Sequence, residues 1–213
     1  MPSHAQICRQ LCQPGIIAVL RACTAHQIPP LVEALIRGGV TSVEITLTTH
    51  GALQAIREAS QHFGPHALIG AGSVLNLASC HECLAAGAQF IVSPICRPAL
   101  VAAAHEAGRA VMLGAFTPTE AQTAHEIGAD FVKIFPADNL GPRFIQALLA
   151  PMPHLRLVPT GGVDLKNAAA FLHAGSAALG VGGSLVSQKI LQTNDWSQLT
   201  RLAQQFVQAV QPR

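Results

Sequence analysis

Apolar positions along the chain fall into short runs separated by longer segments of helical period. The runs predict strands over residues 16–21, 42–47, 68–72, 89–92, 110–114, 130–135, 155–159 and 177–181. The intervening segments predict helices over 26–38, 51–62, 76–86, 97–107, 118–127, 141–149 and 164–173. A final helix over about 195–210 carries a stripe of Leu199, Leu202, Ala203, Phe206, Val207 and Val210. Residues 1–14 form an N-terminal helical segment.

Helical stretches repeatedly end in glycine just before the next apolar run, as in "ALIRGGVTSVEITL", "CLAAGAQFIVSP", "AAHEAGRAVMLG", "AHEIGADFVKIFP" and "FLHAGSAALGVG". Gly39, Gly87, Gly108, Gly128 and Gly175 fit the position just past a helix end, where left-handed backbone angles favour glycine. The middle three are 21 and 20 residues apart, and the outer gaps of 48 and 47 each hold two units. Strict alternation of strand and helix implies parallel strands with right-handed crossovers. Eight such units close most naturally into a (β/α)8 TIM barrel, an α/β fold, with 1–213 as one domain. The rival is an open doubly wound sheet. It usually carries a glycine-rich loop after its first strand, whereas "VLRACTAHQ" holds no GxGxxG.

Composition agrees with a well-buried enzyme body. The chain is 50% hydrophobic and only 11% charged, well below the usual share. Net charge is +2 with no basic run, so no nucleic-acid partner is expected. "MPSHAQICRQLCQPG" lacks the apolar core of a secretory signal, and no apolar stretch is long enough to span a membrane, so no membrane partner is expected either. Six cysteines, at 8, 12, 23, 80, 83 and 96, are even in number, but a chain of this size needs no disulfide framework. Cys80 and Cys83 have metal or redox spacing, yet "LNLASCHECLAAGA" reads as a helix with no second pair to follow. His81 and His105 read as helix-surface residues. No HxxxH pair falls within a predicted helix, so no metal site is expected.

In a barrel, chemistry sits at the carboxyl ends of the strands. In "SVEITLTT", Ser42, Glu44, Thr46 and Thr48 share one face while Val43, Ile45 and Leu47 share the other. The apolar set should pack outward on helices, which sends Glu44 inward. In "FVKIFP", Lys133 sits in a run that should otherwise be buried. Strands 2 and 6 lie across the barrel, so an inward lysine and glutamate must meet. A buried ion pair used only for packing gives little net stability. A lysine walled by Phe131 and Phe135 is poorly solvated, and burial disfavours an ammonium, so neutral amine becomes available to attack a carbonyl. A nearby glutamate can then move protons on and off carbon. Gly161–Gly162 and Gly182–Gly183–Ser184 follow strands 7 and 8, the usual barrel location for a phosphate held by backbone N–H groups and a helix N-terminus.

These motifs together, "AVLRA", "SVEITLTT", "IGAGSVLN", "FIVSP", "FVKIFPADNLGP", "VPTGGV" and "GVGGSLV", occur in family order over about residues 15 to 210. The chain thereby resembles the class I aldolases that cleave 2-keto-3-deoxy-6-phosphogluconate (KDPG), often also 4-hydroxy-2-oxoglutarate (KHG). The resemblance implies a cytoplasmic homotrimer working without cofactor or metal on pyruvate and a sugar-acid phosphate, in the Entner–Doudoroff branch of carbohydrate metabolism. It implies that Lys133 forms the Schiff base with pyruvate and that Glu44 shuttles protons. Ser73 stands where the family usually has a threonine that helps hold the pyruvate carboxylate. Thr160 matches a position tied to recognition of the aldehyde part, and Pro94 and Phe135 match pocket-lining residues. Gly161, Gly162, Gly182, Gly183 and Ser184 match the phosphate end.

One departure stands out. Some members have T-L-R-T where this chain has Thr46-Leu47-Thr48-Thr49, so the carboxylate-binding arginine expected at 48 is absent. Arg21, at the end of the neighbouring strand, is the expected substitute. Rival readings on the same barrel are a sugar-phosphate isomerase or epimerase and a non-catalytic phosphate-ligand binder. Within the aldolase reading, the phosphogalactonate-derived substrate is an alternative differing at one stereocentre, C4.

Overall fold

All eight predicted strands form in the computed structural model, which describes residues 2–21 and 24–211. They are β1 (Ile16–Leu20), β2 (Ser42–Thr46), β3 (Leu68–Gly72), β4 (Phe90–Val92), β5 (Ala110–Ala115), β6 (Phe131–Ile134), β7 (Leu157–Pro159) and β8 (Leu179–Val181). Each strand pairs in parallel with its sequence neighbour, and β1 pairs with β8. The β7–β8 seam is lighter, a single Thr160–Gly180 bridge with the Ala177 N–H donating to Leu157 O at 2.8 Å. The result is a nearly closed (β/α)8 barrel in one domain. Ala22 of "AVLRA" and Cys23 lie outside the described residues.

The helices are α1 (His4–Leu11), α2 (Ile28–Arg37), α3 (Ala52–Phe63), α4 (Leu77–Ala85), α5 (Ala99–Glu106), α6 (Pro118–Glu126), α7 (Gly141–Leu149), α8 (Ala168–His173), α9 (Gln188–Thr193) and α10 (Trp196–Val210). The five glycines past helix ends all have positive φ, from +67° at Gly108 to +101° at Gly175. Each closes the same two-bond cap. At α2, for example, the Val40 N–H donates to Leu35 O at 3.0 Å and the Gly39 N–H to Ile36 O at 2.9 Å.

Three differences from the sequence reading stand out. The first predicted crossover helix begins with a 3-10 turn, Ala25–Gln27, under Thr24, whose N–H reaches Gln27 Oε1 at 3.2 Å. The helix expected from 164 begins only at Ala168. Asp164 Oδ1 takes the N–H groups of Lys166 and Asn167 at 2.8 and 3.1 Å, a local turn that competes with helix. Helix α9 was not predicted. It is six residues long under a Ser187 cap, too short to show a period.

Alternation sorts the strands into two cores. Outward residues such as Ile16, Val43, Ile45, Ile69, Val132 and Leu179 pack on the helices. Inward residues Ile17, Leu68, Phe90, Met112, Phe131 and Val158 fill the amino-terminal half of the barrel, where Ile7, Cys8 and Leu11 of α1 join them. The N-terminal helical segment is therefore a plug. It is started by a Ser3–Gln6 capping box and closes the barrel floor. The final helix buries Leu199, Ala203 and Phe206 as its stripe predicts.

Cys80 and Cys83 are fully buried on α4, and burial pushes their thiols up to about 11 and about 12. They behave as small apolar core residues. No helix among the described residues is long and apolar enough to cross a membrane.

Candidate active site

Above the apolar half, the barrel interior turns polar. On β2 the inward residues Ser42, Glu44 and Thr46 are all buried. On β6, Phe131 belongs to the floor cluster, Lys133 sits one inward step higher and Phe135 follows at the mouth. Lys133 Nζ lies 3.6 Å from Glu44 Oε1, with both side chains only 3% exposed. Glu44 Oε1 is buried and accepts no hydrogen bond among the described residues. Such oxygens are rare in native proteins, because an unpaired buried acceptor carries its full desolvation cost. This ion pair therefore has spare acceptor capacity.

Glycines make the room. The Glu44 carboxylate lies over Gly72 of β3, where an added Cβ would fall 1.9 Å from Oε1. Gly114 of β5, in register with Lys133, admits the backbone of Pro94, whose carbonyl would lie 2.1 Å from a Cβ there. Gly180 of β8 likewise admits the hydroxyl of Thr160. Sequence reading missed these three positions. Their signal was glycine inside otherwise apolar strands, which marks close approach by a neighbouring group.

The remaining predicted residues ring the same end. Phe135 is half-buried, its ring centroid 5.5 Å from Lys133 Nζ and 5.8 Å from the Arg21 guanidinium carbon. Ser73, directly after β3, has φ 59°, an uncommon backbone conformation for a residue other than glycine. Such strain concentrates at functional sites. Thr46 Oγ1 donates to Leu20 O at 2.8 Å, fastening β2 to the end of β1 beside Arg21, and lies 2.8 Å from the hydroxyl of exposed Thr48. Thr160 is buried and directed inward on the β7–β8 seam.

Arg21, Thr160, Gly161, Gly162, Gly182, Gly183 and Ser184 line one cavity of about 160 Å³. Gly161 and Gly162 have φ of +94° and +70°, so the turn itself requires glycine there. Gly183 has ordinary backbone angles, and a Cβ added to it would meet nothing within 4 Å. The fold does not demand glycine at 183, whereas a ligand resting on the backbone would. The helix N-terminus expected beside these glycines is a turn instead, with the Leu185 and Val186 N–H groups both returning to Gly182 O at 2.9 Å. Ser184 Oγ donates to Val163 O at 2.7 Å and so ties the two glycine loops together. A larger cavity of about 690 Å³ lies at the amino end, among Arg57, Ser60, His66 and Gln89, and is remote from the Lys133–Glu44 pair.

The arrangement offers a buried amine, a carboxylate with a free acceptor, and a backbone-lined anion cradle with an arginine at its edge. It fits nucleophilic catalysis on a carbonyl compound carrying an anionic group. Comparison with known proteins agrees. The family model for KDPG and KHG aldolase matches residues 7–202. The 2-dehydro-3-deoxy-phosphogluconate aldolase of Treponema pallidum is 38% identical, over 92% of this chain and 93% of the relative. A Rhizobium meliloti protein named "Probable 2-dehydro-3-deoxy-6-phosphogalactonate aldolase" is 37% identical, over 80% and 81% respectively. The crystal structure of the KDPG aldolase of Legionella pneumophila, with pyruvate captured at low pH as a covalent carbinolamine intermediate, superposes with a TM-score of 0.83 at 30% identity, covering 89% of this chain and 92% of that one.

Proposed function

The chain belongs to the KDPG and KHG aldolase family, and from that membership we propose that it is a class I aldolase. Its reaction is reversible cleavage of 2-dehydro-3-deoxy-6-phosphogluconate to pyruvate and D-glyceraldehyde 3-phosphate. The observation that carries this reading is the buried Lys133–Glu44 pair, whose Glu44 Oε1 accepts no hydrogen bond among the described residues.

Lys133 Nζ adds to the C2 ketone, and loss of water from the carbinolamine gives an iminium. Glu44 accepts the proton of the C4 hydroxyl, directly or through a water. The C3–C4 electrons move into the iminium, the aldehyde leaves and an enamine remains. The proton held by Glu44 returns to C3, and hydrolysis of the resulting iminium releases pyruvate and the free amine. The iminium serves as the electron sink, so the bond cleavage calls on no cofactor. Ser73 and Arg21 hold the carboxylate end, with Thr48 beside them. Pro94 and Phe135 line the pocket and exclude water. Thr160 faces the C4 end, and the turns at Gly161–Gly162 and Gly182–Ser184 hold the phosphate.

The phosphogalactonate-derived substrate is the competing assignment, supported by the comparable identity to the Rhizobium relative; the unphosphorylated 4-hydroxy-2-oxoglutarate would use the same lysine. The same reading includes a homotrimer in the cytoplasm, serving the Entner–Doudoroff route. Exposed Leu75, Leu77, Ile95 and Phe116, on the segments that follow β3, β4 and β5, offer apolar surface for subunit contact.

The test is trapping with pyruvate and borohydride, followed by peptide mass spectrometry. An adduct on the peptide containing Lys133, lost in Lys133→Met, is the expected result. Removing the lysine leaves Glu44 buried without its cation, which can destabilise by about 3–5 kcal/mol. The double variant Lys133→Met/Glu44→Gln therefore serves as the folded control. Failure of the folded wild-type protein to form an adduct would overturn the aldolase reading and favour a sugar-phosphate isomerase.

A further inference from the structure

At the opposite end of the barrel stands a second group of reactive side chains that the proposed reaction does not use. His4 opens α1, His105 lies in the last turn of α5, and Asp130 immediately precedes β6. His4 Nε2 is 2.8 Å from Asp130 Oδ1, and His105 Nε2 is 3.0 Å from Asp130 Oδ2. The two imidazoles meet edge to face with centroids 5.0 Å apart. Cys8, one turn after His4 on the same helix, places Sγ 3.9 Å from His4 Nε2.

We propose that His4, His105, Asp130 and Cys8 form a zinc-binding site that fastens the plug helix α1 to α5 and to the start of β6. Imidazole, thiolate and carboxylate together suit Zn²⁺ better than hard oxygen-seeking cations. The imidazole and carboxylate donor atoms already lie within 4.8 Å of one another. A tetrahedral ion with bonds of ~2.0–2.1 Å needs nitrogen and oxygen donors about 3.3 Å apart. The present separations of 2.8 and 3.0 Å are to different oxygens of Asp130, so an ion between the imidazoles would be held by both carboxylate oxygens, each contact opening by a few tenths of an ångström. The imidazoles can turn that far, because their side chains are 39% and 37% exposed.

The aspartate is better fixed. Its side chain is 11% exposed, and Oδ2 accepts the Val111 N–H at 2.9 Å, the kind of supporting bond that orients a carboxylate ligand. Burial would raise its carboxyl, but the Val111 N–H and the two imidazoles outweigh that and hold it below the usual range. Burial, and secondarily the Asp130 charge, push the Cys8 thiol up to about 11, so zinc would displace a thiol proton on binding. Arg156 counters that shift. Its guanidinium stacks 4.0 Å over Phe131 and donates to Cys8 O at 3.4 Å. Positions 105 and 130 are far in sequence from the pair at 4 and 8, so no short local motif marks the set. Without an ion, the same geometry is an aspartate clamped by two imidazole N–H groups, and experiment separates the two.

Untagged full-length protein is treated with chelator, dialysed against Zn²⁺ and analysed for metal, then titrated against a chromogenic chelator. One zinc per chain is expected. His4→Ala and His105→Ala should each weaken binding by at least the roughly 10–100-fold that loss of a supporting group costs a metal site. With Co²⁺ as the probe, tetrahedral d–d bands and a near-ultraviolet thiolate charge-transfer band are expected, the latter lost in Cys8→Ser. Zinc should raise the thermal midpoint of the wild type and leave that of His4→Ala/His105→Ala unchanged. Stoichiometric binding undiminished in the double variant would assign the metal to other histidines, of which the chain has ten in all, and overturn the site. So would absence of zinc binding by the folded wild-type protein.

Discussion

Replacing Gly72 with alanine should separate the two halves of the proposed chemistry. Gly72 touches no substrate in the proposed mechanism; its service is to leave space for the Glu44 carboxylate. An alanine Cβ would stand 1.9 Å from Glu44 Oε1, 2.5 Å from Cδ and 2.6 Å from Cγ. Carbon and oxygen in contact sit about 3.3 Å apart, so the carboxylate must retreat by about 1.4 Å. A misplacement of about 1 Å at a reacting group can cost roughly 10²-fold, and positioned acid–base catalysis as a whole is worth ~10²–10⁴-fold. Aldol cleavage should therefore fall by about 10²-fold or more, near 2.7 kcal/mol of barrier. Overpacking should also lower stability, by about 1–3 kcal/mol. Lys133 lies on the opposite strand and keeps its geometry, so pyruvate should still be trapped by borohydride. Cleavage is read by coupling pyruvate release to lactate dehydrogenase, trapping by mass spectrometry, and folding by thermal melt. A folded Gly72→Ala protein with undiminished turnover would refute the claim that the position of Glu44 governs proton transfer. Loss of trapping together with turnover would show that the substitution reaches the lysine as well.

Three further outcomes follow from the same geometry. Gly183→Ala adds a methyl group that meets nothing in the protein, so stability should stay within about 0.5 kcal/mol; KM for the phosphorylated substrate should rise about tenfold while pyruvate trapping is unaffected, and an unchanged KM would remove the phosphate from this turn. Arg21→Ala deletes a charged donor worth about 1.5–3 kcal/mol. A matching fall in pyruvate affinity, read from the dependence of trapping on pyruvate concentration, assigns Arg21 to the carboxylate, a rise in KM for the phosphorylated substrate alone assigns it to the phosphate, and no change in either removes it from the site. Glu120 accepts hydrogen bonds from the N–H groups of Phe116 and Thr117 and from the Thr117 hydroxyl, all at 2.9 Å, and these hold its carboxyl below the usual value. Because the folded-state value is depressed, its stabilisation is present above the unfolded value of about 4.3 and is lost as pH falls through the folded value; Glu120→Gln should lower the melting temperature by about 1–3 °C at neutral pH, with the gap closing in acid.

The barrel was legible because its signals are local. Each crossover helix carries its own period, and five of them end at a glycine forced to positive φ. Glu44 and Lys133 were legible for a related reason. A charged residue in an apolar strand has to point somewhere, and alternation leaves only the interior. What escaped depends on contacts distant in sequence. Helix α1 has only eight residues, and nothing in its composition says that Ile7, Cys8 and Leu11 will seat in the barrel floor. The Thr160–Gly180 approach and the meeting of His4 with Asp130 exist only once the strands have closed into a ring. The late start of α8 turns on side-chain hydrogen bonds from Asp164 and Asn167, which compete with the backbone and leave no trace in hydrophobic periodicity.

The seating of α1 against Phe131 and Leu68 also sets the traffic of the reaction. With its floor stopped, the chamber has one door, and whatever enters must leave the same way. In the proposed reaction the carbon skeleton that becomes pyruvate is tethered to Lys133 in the interior, while the phosphate rests on glycine turns at the rim. The aldehyde stands between the tethered half and the exit. It has to depart first, and the enamine left behind waits, shielded by Phe135, until a proton reaches it. Steady-state kinetics should therefore show ordered release, with pyruvate last out in cleavage and first in during synthesis.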